Sequence, residues 1–254
     1  MTPPPPAKLS PREVFGEMWR VYKRRWTFLI PAAVVVLLPQ SIFDGVLEGS
    51  HVEHLRTLLD FATAGVALLT AAVNLLGQAV YAGLTAAAVV DWRAGQPLPS
   101  PRTLIRSMPI KRLIALDLLI TIGFAIGFLF LVVPGLIFLT YLAIAPAILK
   151  LEHRGVWESM RRSVDLVRGQ AGRVFVTVVG AIAVTEVAVQ AIAAPFEGIA
   201  ELTAVNLAAE GLLQPIEGLA IAVVAIHLLE LRGEAAPPSA MAEALVGDEA
   251  WVQR

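Results

Sequence analysis

The sequence predicts an all-α membrane protein: six transmembrane helices as three hairpins, each preceded by a cytoplasmic amphipathic interfacial helix. Three observations predict it. Hydrophobic residues make up 57% of the 254-residue chain and charged ones only 16%, with a mean hydropathy of +0.71, far from soluble domains. Six apolar runs are long enough to reach across about 30 Å of hydrocarbon. Lysine and arginine cluster between alternate runs instead of spreading along the chain.

The runs cover 27–46, 58–90, 113–133, 136–149, 174–194 and 211–231. The second is too long for one simple span and is expected to tilt or to project into water. The fourth is short and follows Val132-Val133-Pro134-Gly135, which the Pro-Gly pair predicts to be a tight turn joining runs three and four as a hairpin. The first run is not expected to be a cleaved signal peptide. A long polar region precedes it, Pro31 and Pro39 interrupt it, and no small-residue cleavage site follows.

Orientation follows from the cations, because Lys and Arg are retained in the cytoplasm during insertion. Nineteen of the twenty fall in 1–26, 91–112, 150–173 and the tail, and Arg56 alone falls on the other side. An even number of spans then places both termini in the cytoplasm. The predicted division is an amphipathic helix at 1–26, a six-helix membrane domain at 27–231, and a tail at 232–254 whose Pro-containing, acidic composition predicts disorder.

The three basic segments are alike. Ser10-Pro11-Arg12-Glu13 has the capping-box pattern, after which Val14, Phe15, Met18, Tyr22 and Trp26 recur at helical spacing. A shorter version begins at Ser100-Pro101-Arg102 and fills 100–112, with Pro109 interrupting it. In the third, at 155–169, Trp157, Met160, Val164 and Val167 share one side, expected to sit in lipid, while Glu158, Arg161, Arg162, Asp165 and Arg168 cover the rest. Trp157, Arg161, Arg162 and Arg168 are therefore the candidate contacts to lipid headgroups, anionic ones included.

The stretch PGLIFLTYLAIAPAILKLEHRGVWESMRRSVDLVRGQAGRVF, residues 134–175, resembles the hallmark region of a bacterial six-helix family named for the membrane domain of glycerophosphoryl diester phosphodiesterase. Pro134, Gly135, Glu152, Arg162, Ser163 and Gly169 carry the resemblance, with REVFGEMWRVYKRRW and HLLELRGE similar at the two ends. The resemblance implies a fold and a location in the bacterial plasma membrane more than an activity. The phosphodiesterase barrel that names the family is a separate soluble domain, for which six spans leave no room.

Candidates for chemistry are few. Without cysteine there are no disulfides, thiolate metal sites or cysteine nucleophiles. His51 and His54 are three residues apart but lack a placed carboxylate, and no nucleotide-binding glycine loop or Ser-His-acid arrangement is present in the sequence. No enzyme, cofactor, metal or nucleic acid is expected. The informative residues are polar and inside the apolar runs. Asn74, Gln78 and Tyr81 fall with Thr70 and Thr85 on one side of the second; Glu186 and Gln190 are one turn apart on the fifth; Gln214 and Glu217 flank Pro215 on the sixth. At 1.5 Å per residue, Glu186 lies about 18 Å from the inner surface and Glu217 about 9 Å from the outer, which in a 30 Å core are nearly the same depth.

Charge at that depth is expensive, so such residues face the bundle interior. They either tie helices together by hydrogen bonds or form a working polar seam. The leading expectation is a non-enzymatic, multi-pass protein that binds lipid or a protein partner in a scaffold or accessory role. The alternative is a small transporter or lipid-moving protein using the Glu186 and Glu217 seam. A cavity reaching both carboxyls favours the transporter; a tightly packed, dry bundle favours the accessory role.

Overall fold

The computed structural model describes residues 8–49, 81–97, 108–130, 132–196 and 199–234, and among them there is no strand. The helices are α1 (Pro11–Gly49), α2 (residues 81–93), α3 (Ile110–Phe130), α4 (Val132–Leu142), α5 (Ala145–Glu152), α6 (Val156–Val167), a one-turn α7 (Ala171–Val174), α8 (Gly180–Ala193) and α9 (Ile199–Leu231). Among the described residues, three stretches are long and apolar enough to cross a membrane: Val133–Glu152, Ala171–Ala193 and Glu201–Leu231.

The first basic segment and the first run form one helix, α1, where two elements were expected. The Ser10 carbonyl accepts the N–H groups of Glu13 and Val14 at 3.1 Å, and Pro11, which has no N–H to lose, opens the helix. Pro31 and Pro39 each delete one backbone hydrogen bond without ending it. Residues 98–107, which hold most of the second predicted interfacial helix, lie outside the described residues; α3 starts directly after Pro109, so Lys111 and Arg112 belong to it.

Val132-Val133-Pro134-Gly135 is helical and makes the first turn of α4, where a proline costs nothing because its N–H would be unsatisfied. The predicted turn is therefore not where the chain leaves α3: it lies inside α4. The two helices do pack together. A Cβ added at Gly123 would stand 2.3 Å from the Phe138 ring, so the missing side chain makes room for that ring. Gly123→Ala is expected to cost about 1–3 kcal/mol by overpacking. Thermal unfolding of the purified protein would show it, and Phe138→Leu should restore most of the loss.

The fourth apolar run is broken: α4 ends at Leu142 and α5 starts at Ala145, with Pro146 in the first turn. The fifth contains a π-helical turn, Phe175–Val179, between α7 and α8. A π turn holds an extra residue and so changes which side of the helix every later residue faces.

Helices in lipid gain little from apolar burial alone, and close backbone approach through small residues takes its place. Ala86 and Ala88 on α2, Ala147 on α5, and Ala220, Ala222 and Ala225 on α9 are all fully buried in one cluster with Val89, Ile144, Ile148, Val223 and Val224. α9 is packed tightly at two glycines: Cβ atoms would meet Val34 of α1 at 2.7 Å from Gly211 and Thr85 of α2 at 2.8 Å from Gly218. Val34 lies beside Gly211 and Glu17 beside His227, so α1 and α9 run antiparallel.

Candidate functional site

Behind this packed layer, a cavity of about 350 Å³ opens between α2, α3, α4, α5, α8 and α9. Its carboxyls are Asp117 from α3, Glu186 from α8, and Glu210 and Glu217 from α9, and no Lys, Arg or His stands among the described residues that line it. Tyr81, Thr185 and Gln214 add polar groups, and Leu142, Ile182 and Val189 are among the apolar ones. Counting 1.5 Å per residue from Arg93, Arg173 and Arg232, the residues Tyr81, Thr185 and Glu217 lie about 18, 18 and 22 Å from the basic end of the bundle. Glu210 lies two turns beyond Glu217, about 10 Å further from that end.

Local sequence places each group. The Thr185 hydroxyl sits against the carbonyls of Ala181 and Ile182 at 3.1 and 3.0 Å, one turn back on its own helix, and also reaches the Glu217 carboxyl. Gln214, three residues before Glu217, donates from Nε2 to its other oxygen at 3.4 Å. Glu217 is thus held from two sides. Glu186 receives only a long contact from Gln190 Nε2, 3.4 Å, on an exposed helix face. The Asp117 Oδ2 atom is inaccessible to solvent and accepts no hydrogen bond among the described residues. Glu186 and Glu210 are near enough to act electrostatically on Glu217. Four acids around one cavity therefore create a field that favours positive charge.

Of the predicted seam, Glu186, Gln214, Glu217 and Tyr81 meet at this cavity, and Gln190 stands beside Glu186. Asn74 and Gln78 lie outside the described residues, as do His51 and His54. Tyr81 is anchored, its hydroxyl donating to the Leu29 carbonyl at 3.1 Å, and Thr85 folds back onto the Tyr81 and Ala82 carbonyls. Sequence reasoning missed Asp117, Thr185 and Glu210. A signal existed for both acids: Asp117 is the single charge in the third apolar run, and Glu210 precedes Glu217 by seven residues, two helical turns on the same side.

The motif residues acquire structural reasons. Glu152 accepts from Arg162 Nε at 3.3 Å and from Arg154, and Arg162 also donates to Glu234 beyond the end of α9. Burial alone lowers the Arg162 pKa, but the hydrogen bond to Glu234 and the charges of Glu152 and Glu234 outweigh it, so the net shift is upward. The Ser163 hydroxyl, fully buried, donates to the Tyr141 carbonyl at 2.6 Å, close to where α4 breaks before α5. Ser163→Ala should lower stability by about 1 kcal/mol, measurable as an earlier thermal transition. Gly169 has φ +88°, a left-handed conformation that glycine alone adopts without strain. Pro134 and Gly135 lie in the first turn of α4.

The third basic helix, α6, faces differently than expected. Ser159, Ser163, Leu166 and Val167 are its buried residues, and Met160 and Val164 pack against the protein core instead of lying in lipid. Of the four apolar residues expected in lipid, Trp157 projects outward, 62% exposed, with the Arg161 guanidinium 5.8 Å from its ring centroid. Arg168 is exposed, whereas Arg162 is held by its two carboxylates. Lys150, counted with the loop cations, is buried near the end of α5.

A family model described as uncharacterised protein family UPF0259 matches residues 48–231. The chain belongs to this family. The UPF0259 match takes in every described residue that lines the cavity and leaves out α1 up to residue 47. No solved structure matches the chain.

Proposed function

We propose that this protein is a small, non-enzymatic carrier in the bacterial plasma membrane that binds a small cationic solute, such as a protonated amine, in the Asp117, Glu186, Glu210 and Glu217 cavity. One observation carries this reading: four carboxyls from three helices line one cavity with no positive side chain among its described residues. Carboxyls in a hydrocarbon environment are too costly to keep without a use, and like charges around one cavity repel one another unless protons or a cation intervene. The carboxyls are spread around the wall, and among the described residues no three acids or histidines converge as metal ligands do. An organic cation of several atoms suits that spacing. The alternation of basic segments supports six spans with both termini in the cytoplasm, and the resemblance of 134–175 to the phosphodiesterase-associated membrane domain supports the same topology.

The test is calorimetric titration of the detergent-purified protein with putrescine, ethanolamine and choline, with isethionate, a small anion without an amine, as the control. Saturable binding of at least one of the three cations and none of isethionate is expected. Heat of mixing alone for all three cations would refute the reading.

A second reading, an accessory protein that binds lipid or a protein partner, is favoured by the aromatic surface. Trp19, Trp26 and Trp157 are more than half exposed, and Lys23 lies 5.4 Å from the Trp19 ring centroid as Arg161 lies over Trp157. Such aromatic and cationic pairs suit the headgroup region. Native mass spectrometry retaining anionic lipid in the wild type and losing it in Trp157→Ala/Arg161→Ala would support it.

A further inference from the structure

The cavity stops short of the basic end of the bundle. Between them lies the fully buried layer of Ala86, Ala88, Ile144, Ala147, Ala222 and Val223, with no polar side chain of their own. Immediately beyond that layer, three helices meet in a charged cluster. Arg93, at the end of α2, donates from Nε and Nη2 to both oxygens of Glu17 on α1, at 2.5 and 2.7 Å, and from Nη1 to Glu230 on α9. The His227 ring completes it: Nδ1 lies 2.9 Å from the Val223 carbonyl and 3.3 Å from Arg93 Nη2, and Nε2 faces Glu17 at 3.6 Å.

We propose that the Glu17, Arg93 and Glu230 cluster is a latch that holds the basic end of the bundle shut beneath the cavity, and that a solute passes that end only when the latch parts. The geometry has the properties a latch needs. α2 and α9 both line the cavity and both end at the cluster, so their ends cannot separate without breaking it. The Glu17 side chain is 8% exposed while Arg93 and Glu230 are 21% and 44% exposed, so water can enter from the rim and compete for the guanidinium. Two carboxylates share one arginine, which gives Arg93 a partner in either position as α1 and α9 move apart. The layer beneath is largely alanine, whose short side chains let helices slide with little repacking.

This inference rests on the cavity reading for what passes the latch, but its test needs no solute. The chain has no cysteine, so a single introduced one is the only thiol. Ala222→Cys, fully buried just under the latch, would be exposed to a membrane-impermeant maleimide applied from each side of reconstituted vesicles. In the wild-type background, protection from both sides is expected. Adding Glu230→Gln or Arg93→Lys should speed labelling at least tenfold from the basic side alone. Equal labelling with and without the latch substitutions would overturn the proposal, as would rapid labelling of Ala222→Cys with the latch intact. If the latch result holds while amine titration gives no heat, the gate stands and the choice of solute is wrong.

Discussion

Arg93→Leu is expected to lower stability by roughly 3 kcal/mol. The reason is the acid left behind. Glu17 is nearly buried, and Arg93 supplies both of its close contacts, leaving only His227 at 3.6 Å when the guanidinium goes. Arg93→Lys keeps the charge but loses the two-pronged match to the carboxylate, so an intermediate loss is expected. Glu17→Gln/Arg93→Leu, which removes both charges, should recover much of the deficit because no buried ion is stranded. Urea-induced unfolding in mild detergent, followed by tryptophan fluorescence, would rank the variants. The account requires the double variant to be more stable than Arg93→Leu.

Glu217→Gln should abolish amine binding to the purified protein, an affinity loss of at least tenfold, while leaving the thermal transition within a few degrees of wild type. The single amide oxygen of glutamine can accept from Thr185, and its NH2 group can donate to the Gln214 side-chain oxygen once that amide turns over, so the local hydrogen bonds survive and the charge alone is lost. Asp117→Asn tests the opposite wall. Its Oδ2 accepts nothing among the described residues, so the substitution should weaken binding without weakening the fold. Glu186→Gln, on an exposed helix face with one long hydrogen bond, should have the smallest effect of the three.

How far the sequence reached depends on which physical rule governed each element. Apolar length alone located the three strongly hydrophobic stretches, because hydrocarbon thickness sets the length of a span and little else competes. It could not show that the first basic segment and first span are one helix, since Pro31 and Pro39 are breakers in water and are tolerated where neighbouring helices support the chain. Val132-Val133-Pro134-Gly135 misled for a related reason: Pro-Gly marks turns, but proline also belongs in a helix's first turn. The depth count on Glu186 and Glu217 put them at one level, and both do line one cavity. Asp117 was visible by the same rule and went unused. The Glu17 and Arg93 pairing was not legible, because seventy-six residues separate the partners and topology looked sufficient to explain the cation. Arg162 shows the same limit: retention in the cytoplasm accounted for its charge, while the structure spends it on Glu152 and Glu234.

The central claim is that acids inside the membrane form one cation-binding cavity. Carbodiimide modification tests it most directly, because dicyclohexylcarbodiimide enters hydrocarbon and couples to carboxyls that water-soluble reagents do not reach. Membranes containing the protein would be treated with and without putrescine, ethanolamine or choline, and the modified peptides located by mass spectrometry. The account predicts labelling at Glu217 or Asp117 that a bound amine suppresses in proportion to its occupancy. Labelling that no cation changes, or labelling confined to the exposed Glu186, would contradict it.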